Sequence, residues 1–147
     1  MAIAPKKVKF IEEVNIGDEL PVLEKFVERI QLVKYAGASG DFNPIHQFED
    51  VAKSQKLPGI IAHGMLSGGF LGQYMTDWVP EGALKKLTFS FRAMTRPEDT
   101  VSCKGKITDK YTRTGQHYIE CEIWTENQKG EKLSPGTATV VLPSRGE

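Results

Sequence analysis

The chain has 147 residues, 39% of them apolar and 26% charged, the proportions of one soluble globular domain with enough interior for a real core. Lysine plus arginine equals aspartate plus glutamate at 19 each, so no net field draws the chain to nucleic acid or to an anionic membrane. The most apolar window, residues 60–75, falls short of the ~20 residues of a membrane span and contains His63, Ser67 and Gln73.

At the N-terminus, MAIAPKKVKF has no apolar run of the kind a secretory leader needs. The turn NIGDELP (residues 15–21) leads to a short strand predicted over residues 22–27. From Arg29 the apolar spacing becomes helical, with Ile30, Val33, Ala36 and Gly37 on one expected buried stripe, and GASG ends the helix. Its start, VERIQ, has no Ser, Thr or Asp to cap it. A second short helix is predicted over residues 49–55, LPG (residues 57–59) breaks the chain, and a longer apolar helix follows over residues 63–78. On that helix Gly64, Gly68 and Gly72 repeat at every fourth position beside a stripe of Leu66, Phe70, Tyr74 and Trp78. Each interior glycine costs ~1 kcal/mol relative to alanine, so the stripe predicts another backbone lying against a helix that is buried nearly all round. Leu87, Phe89 and Phe91 then alternate as a strand. Residues 101–110 and 117–126 flank TRTG as a hairpin, and residues 131–133 and 137–142 complete a sheet. The order predicts an α+β fold in one domain over residues 1–147, a long buried helix wrapped by one curved antiparallel sheet. Cys103 and Cys121 fall in neighbouring strands without a Cys-x-x-Cys spacing, which predicts packing thiols in a reduced, cytoplasmic protein. The C-terminal PSRGE matches no peroxisomal or retention signal.

Between the first two helices lies YAGASGDFNPIHQFEDVA (residues 35–52), a turn-rich stretch that also holds Asp41 and His46. Asn43 favours a turn, Pro44 fixes φ near −65°, and the residue before proline is kept out of the helical region. The bend is therefore predicted to aim the carboxylate and the imidazole at one point, where two such groups can exchange protons with a water. Downstream, IIAHGML opens the long helix. A helix N-terminus offers unpaired amides and the positive end of the macrodipole to a developing oxyanion, and Gly64 has no side chain to block it. Asp41 alone reads more simply as a turn residue, but the compound pattern G-D-x-N-P-x-H followed by H-G makes chance a poor account. His63 suits a structural role beside a buried helix start as well as a place in the pocket wall, and His117 reads as a surface residue. Asp41, His46 and His63 are of ligand type, yet their spacings match no zinc signature.

The pattern Y-A-G-A-S-G-D-F-N-P-I-H-x5-A (residues 35–52) resembles the signature of the MaoC-like, or type 2, enoyl-thioester hydratases, and IIAHGML resembles the start of that family's central helix. The resemblance spans nearly the whole chain and is strongest to the stand-alone (R)-specific hydratases and the catalytic subunit of mycobacterial-type 3-hydroxyacyl-acyl-carrier-protein dehydratases. It implies a hot-dog fold and the reversible hydration of a trans-2-enoyl thioester to the (R)-3-hydroxyacyl thioester in fatty acid metabolism. Asp41 and His46 would activate one water and the Gly64 amide would hold the thioester oxygen. Tyr35, Ser39, Asn43 and His63 are further candidates for substrate contact, Tyr35 having packing as its alternative role. The implied partners are an acyl-CoA or acyl-carrier-protein thioester and a second hot-dog subunit, identical or paralogous, because one sheet round one helix leaves an unpaired edge. Nucleic acid, membrane, cofactor and metal are not expected. A hot-dog thioesterase would need a carboxylate on or near the central helix, where only Asp77 stands, at the far end; a non-catalytic partner subunit would lack the Asp/His pair. One departure is AMTRPEDT (residues 93–100): the family turn reads P-V-x-P-G-D, and here Glu98 stands where glycine is usual.

Overall fold

The computed structural model describes residues 7–146; residues 1–6, the first part of the stretch weighed above as a leader, and Glu147, the last residue of PSRGE, lie outside the described residues. A short strand β1 (Leu23–Phe26) precedes three helices, α1 (Arg29–Ser39), α2 (Glu49–Ser54) and α3 (Gly64–Trp78). Four strands follow: β2 (Leu84–Phe89), β3 (Thr100–Arg113), β4 (Gln116–Glu126) and β5 (Lys132–Leu142). They form one antiparallel sheet in the order β1-β3-β4-β5-β2, and α3 packs against β2, β3, β4 and β5. This is the expected α+β plan of a long central helix wrapped by a curled sheet. Among the described residues, no helix is long and apolar enough to cross a membrane.

The core forms where the helical and strand periods meet. α3 buries Leu66, Phe70, Leu71, Tyr74, Met75 and Trp78. Alternate residues of the long strands face them: Val101, Cys103 and Ile107 from β3, Ile119, Cys121 and Ile123 from β4. Each large apolar side chain so buried contributes ~1.5–3 kcal/mol relative to exposure. Burial pushes both the Cys103 and the Cys121 thiol up to about 12, so these are inert packing groups. The β3–β4 hairpin turns at Thr114 and Gly115, both at positive φ (49° and 74°), as a tight two-residue hairpin requires.

Three expectations are corrected. The glycine stripe of α3 admits side chains rather than a backbone: a Cβ at Gly68 would lie 2.4 Å from the Phe89 ring, and one at Gly64 would lie 3.1 Å from the Phe91 ring. The alternating apolar residues of β2 and its extension fill the glycine groove. The tightest backbone approach is instead between strands, where a Cβ at Gly136 would meet the Thr88 carbonyl oxygen at 2.1 Å. α3 is also not buried all round, because Met65, Gly69, Gln73 and Thr76 are exposed. Finally, β5 runs unbroken through Pro135 and Gly136 instead of dividing in two. The Pro135 carbonyl accepts from the Ser90 amide (2.9 Å) just past the end of β2, so its missing N–H removes no bond from within that strand.

Glu98 lies at φ 72° in the left-handed region, which explains why glycine suits this turn. Asp99 closes it by accepting from the Arg96 amide (2.8 Å). Glu98→Gly is expected to raise stability by ~1 kcal/mol, read as a higher urea midpoint at unchanged slope. A lower midpoint would mean that the Glu98 side chain stabilises the turn by more than its strained φ costs.

Candidate active site

α1 ends with Gly40 in the left-handed conformation (φ 76°), its amide donating to the Ala36 carbonyl. The chain then enters a bend held by its own side chains. The Asp41 amide donates to Ser39 Oγ (3.2 Å), the Asn43 amide to Asp41 Oδ1 (3.2 Å), and the Ile45 amide to Asn43 Oδ1 (3.3 Å). Pro44 opens a single 3-10 turn that ends at His46. One Asp41 oxygen thus serves the bend, and the other, Oδ2, faces His46 Nε2 at 3.8 Å. That gap is too long for a direct hydrogen bond, yet one water oxygen can lie within reach of both atoms. The Asp41 side chain is 49% exposed and that of His46 only 8%, so the pair spans the boundary between solvent and interior.

The tautomer of His46 follows from its other nitrogen. Nδ1 lies 2.7 Å from the Ile61 carbonyl oxygen, which can only accept, so Nδ1 carries the proton and the neutral ring presents a bare Nε2 toward Asp41. Ile61 belongs to a segment fixed on two sides. Glu49 accepts from the Ile60 amide (3.3 Å), and the Ala62 amide donates to the Thr95 carbonyl (2.8 Å). The Ile60 N–H, with smaller help from Lys53 and Arg29, holds the Glu49 carboxyl below its ordinary range. Glu49 also occupies the space beside Gly59: a Cβ there would lie 2.6 Å from its carboxylate.

His63 lies behind this pair. It is 1% exposed, stacks on His46 with ring centroids 3.9 Å apart, and tilts against Tyr35 at 4.8 Å. Its Nε2 donates to the backbone carbonyl of Asp41 (3.1 Å), and its Nδ1 is buried without a hydrogen-bond partner. Burial, opposed in part by the Asp41 carbonyl, lowers its pKa, so the ring stays neutral at pH 7. Asp41, His46 and His63 therefore come together, with Tyr35 tilted against His63 and Gly64 next to His63 at the helix start, whereas Ser39 and Asn43 commit their side-chain oxygens to amides of the bend. Ligating atoms of Asp41, His46 and His63 fall within 4.8 Å of one another, a set of metal-binding type. The two rings, however, are only 29° from parallel. Their in-plane lone pairs run side by side and do not converge on one ion.

Gly64 is the first residue of α3, and its N-cap His63 makes no side-chain capping bond, so the helix start is left with unsatisfied amides. The Phe91 ring stands against Gly64, and Phe42, Met65, Phe91 and Met94 are exposed apolar residues. Beside His46 a cavity of about 240 Å³ opens, walled by Ile30, Leu32, Val33 and Ile60 with Arg29 and Gln47. This corrects the stripe expected on α1: the helix buries Leu32 and Ala36, while Ile30 and Val33 are each 52% exposed and wall the cavity. Phe91 and the Ile61 carbonyl were not singled out from the sequence. For Phe91 a signal was present, since Leu87, Phe89 and Phe91 step in register with Gly72, Gly68 and Gly64.

A family model described as MaoC like domain matches residues 22–128. The chain belongs to the MaoC-like domain family. An (R)-specific enoyl-CoA hydratase of Rhodospirillum rubrum is 30% identical over 139 residues, 93% of this chain and 94% of that protein. A 3-hydroxybutyryl-CoA dehydratase of Methylorubrum extorquens is 27% identical over 143 residues, 96% of this chain and 88% of that protein. Among solved structures, the unliganded R-hydratase PhaJ1 from Pseudomonas aeruginosa superposes with a TM-score of 0.80 at 22% identity, covering 92% of this chain and 86% of that one. That likeness gives this MaoC-like chain the hot-dog fold.

Proposed function

We propose that this MaoC-like protein is a hydro-lyase that reversibly hydrates trans-2-enoyl-CoA thioesters to (R)-3-hydroxyacyl thioesters. The observation that carries this reading is the 3.8 Å gap between Asp41 Oδ2 and His46 Nε2, formed beside the helix start at Gly64. It is supported by the two relatives, which are named for the two directions of this reaction. A water held in the gap gives one hydrogen to Asp41 Oδ2 and points the other at His46 Nε2. His46 takes that proton as the water oxygen bonds to C3, and charge passes to the thioester oxygen. The Gly64 amide holds this oxyanion, and the proton returns from His46 to C2. Dehydration is the same path reversed. Proton transfer by a positioned group contributes ~10²–10⁴-fold, and one oxyanion donor ~10²–10³-fold. The apolar cavity beside His46 takes the acyl chain.

A second hot-dog chain, identical or paralogous, completes the assembly. Among the described residues the outer edges of β1 and β2 are unpaired in the sheet, and the exposed Phe42, Met65, Phe91 and Met94 are suited to being covered.

Incubation with trans-2-butenoyl-CoA tests the activity. Loss of the enoyl chromophore without release of free thiol is expected, with (R)-3-hydroxybutyryl-CoA as product. Thiol release would favour a thioesterase, whose carboxylate on the central helix would have to be Asp77, at the far end of α3 and bonded to Gln73 (3.3 Å).

A further inference from the structure

A second cavity, of about 400 Å³, opens on the side of Phe91 where the chain continues into Arg92 and Met94. Its lining contains three cations, Arg92, Arg96 and Lys129. Its two carboxylates are already engaged by neutral donors. Asp99 accepts from the Arg96 amide (2.8 Å) and from Gln128 Nε2 (3.0 Å), and Glu131 accepts from Asn127 Nδ2 (3.0 Å). Among the described residues, no carboxylate comes within 4 Å of the three cationic groups. With three cations against two carboxylates the lining carries a net positive charge, and cations that make no ion pair of their own can engage an external anion.

The location indicates which anion. Arg92 directly follows Phe91, whose ring stands against Gly64. Thr95, inside the same segment, is tied to the entry of α3 by its carbonyl (to the Ala62 amide, 2.8 Å) and by its hydroxyl (to Ser67 Oγ, 3.1 Å). The cavity and the helix start thus belong to one rigid frame. The cavity beside His46 is apolar and suits the acyl end of a thioester whose carbonyl lies at Gly64. The carrier end must leave on another side, and the lining of the cationic cavity begins at Arg92, one residue beyond the phenylalanine whose ring stands against Gly64.

We infer that the cavity bounded by Arg92, Arg96 and Lys129 binds the phosphate groups of the thioester's carrier arm. This rests on the hydratase reading for the identity of the substrate. Phosphates occur in both coenzyme A and the phosphopantetheine arm of acyl carrier protein, and the three cations recognise the chemistry they share.

The test compares wild type with the triple variant Arg92→Ala/Arg96→Ala/Lys129→Ala on four butenoyl thioesters: of coenzyme A, 3′-dephospho-coenzyme A, acyl carrier protein and phosphate-free pantetheine. For the coenzyme A ester, KM is expected to rise ~10-fold or more at unchanged kcat, the signature of lost uniform binding. For the pantetheine ester neither parameter should change. A rise with both carriers places the pantetheine phosphate in the cavity, and a rise with coenzyme A alone places the nucleotide phosphates there. Equal KM for the coenzyme A ester in wild type and variant, or a parallel rise with the pantetheine ester, would overturn the site. Titration with adenosine 3′,5′-bisphosphate and with pantetheine 4′-phosphate keeps the test independent of turnover. Should wild type hydrate no ester, the hydratase reading fails, yet wild-type binding of either anion that the triple variant has lost would still support the phosphate site. Binding of neither anion by wild type, or equal binding by both proteins, would remove it.

Discussion

Replacing Gly64 with proline is expected to lower kcat for butenoyl-CoA hydration by ~10²–10³-fold while the chain still folds. Gly64 is the first residue of α3, a position where proline is tolerated because its N–H has no partner within the helix. The preceding residue, His63, already has φ −58° and ψ 132°, the extended conformation that proline demands of its neighbour. The substitution therefore removes the one donor assigned to the oxyanion and leaves the helix intact. Gly64→Ala is the control. It keeps the N–H and adds a methyl group 3.1 Å from the Phe91 ring, a contact that a shift of a few tenths of an ångström relieves. Alanine should stay within ~10-fold of wild type, the scale of crowding rather than of a lost donor. Equal losses in the two variants, at similar melting temperatures, would assign the effect to crowding and remove the amide from the mechanism.

Asp41→Asn and His46→Gln are each expected to reduce kcat by ~100-fold or more. Asparagine keeps an oxygen for the Asn43 amide, so the bend survives, but its NH₂ cannot accept the water's hydrogen where Oδ2 did. Glutamine at position 46 can still donate to the Ile61 carbonyl, but it has no titratable nitrogen to take a proton. Because the two groups act on one water, the double variant should be little worse than the weaker single one. Losses that multiply would mean two independent roles, and near-normal rates in both singles would exclude the pair.

The bend that brings Asp41 and His46 together was legible because its causes are local. Asn43 and Pro44 act on their own backbone, and the Asp41 and Asn43 side chains bond amides two residues ahead. The long helix and the β3–β4 hairpin were legible for the same reason, from periodicity and a turn dipeptide. What the sequence left open depends on partners distant along the chain. Nothing local in Gly64 or Gly68 shows that phenylalanine rings will fill the groove, and nothing local in Ile30 or Val33 shows that their face of α1 borders a cavity. The tautomer of His46 depends on a carbonyl 15 residues away. Glu98 is an intermediate case: a resemblance marked the position as one for glycine, and its φ of 72° supplies the physical reason.

The most direct test of the shared-water geometry is a crystal structure of Asp41→Asn with unreacted trans-2-butenoyl-CoA bound. The predicted result places the thioester oxygen within hydrogen-bond reach of the Gly64 amide, C3 facing the space between residues 41 and 46, and the acyl methyl in the cavity of Ile30 and Val33. A thioester bound with its carbonyl away from α3, or with C3 turned away from His46, would contradict it.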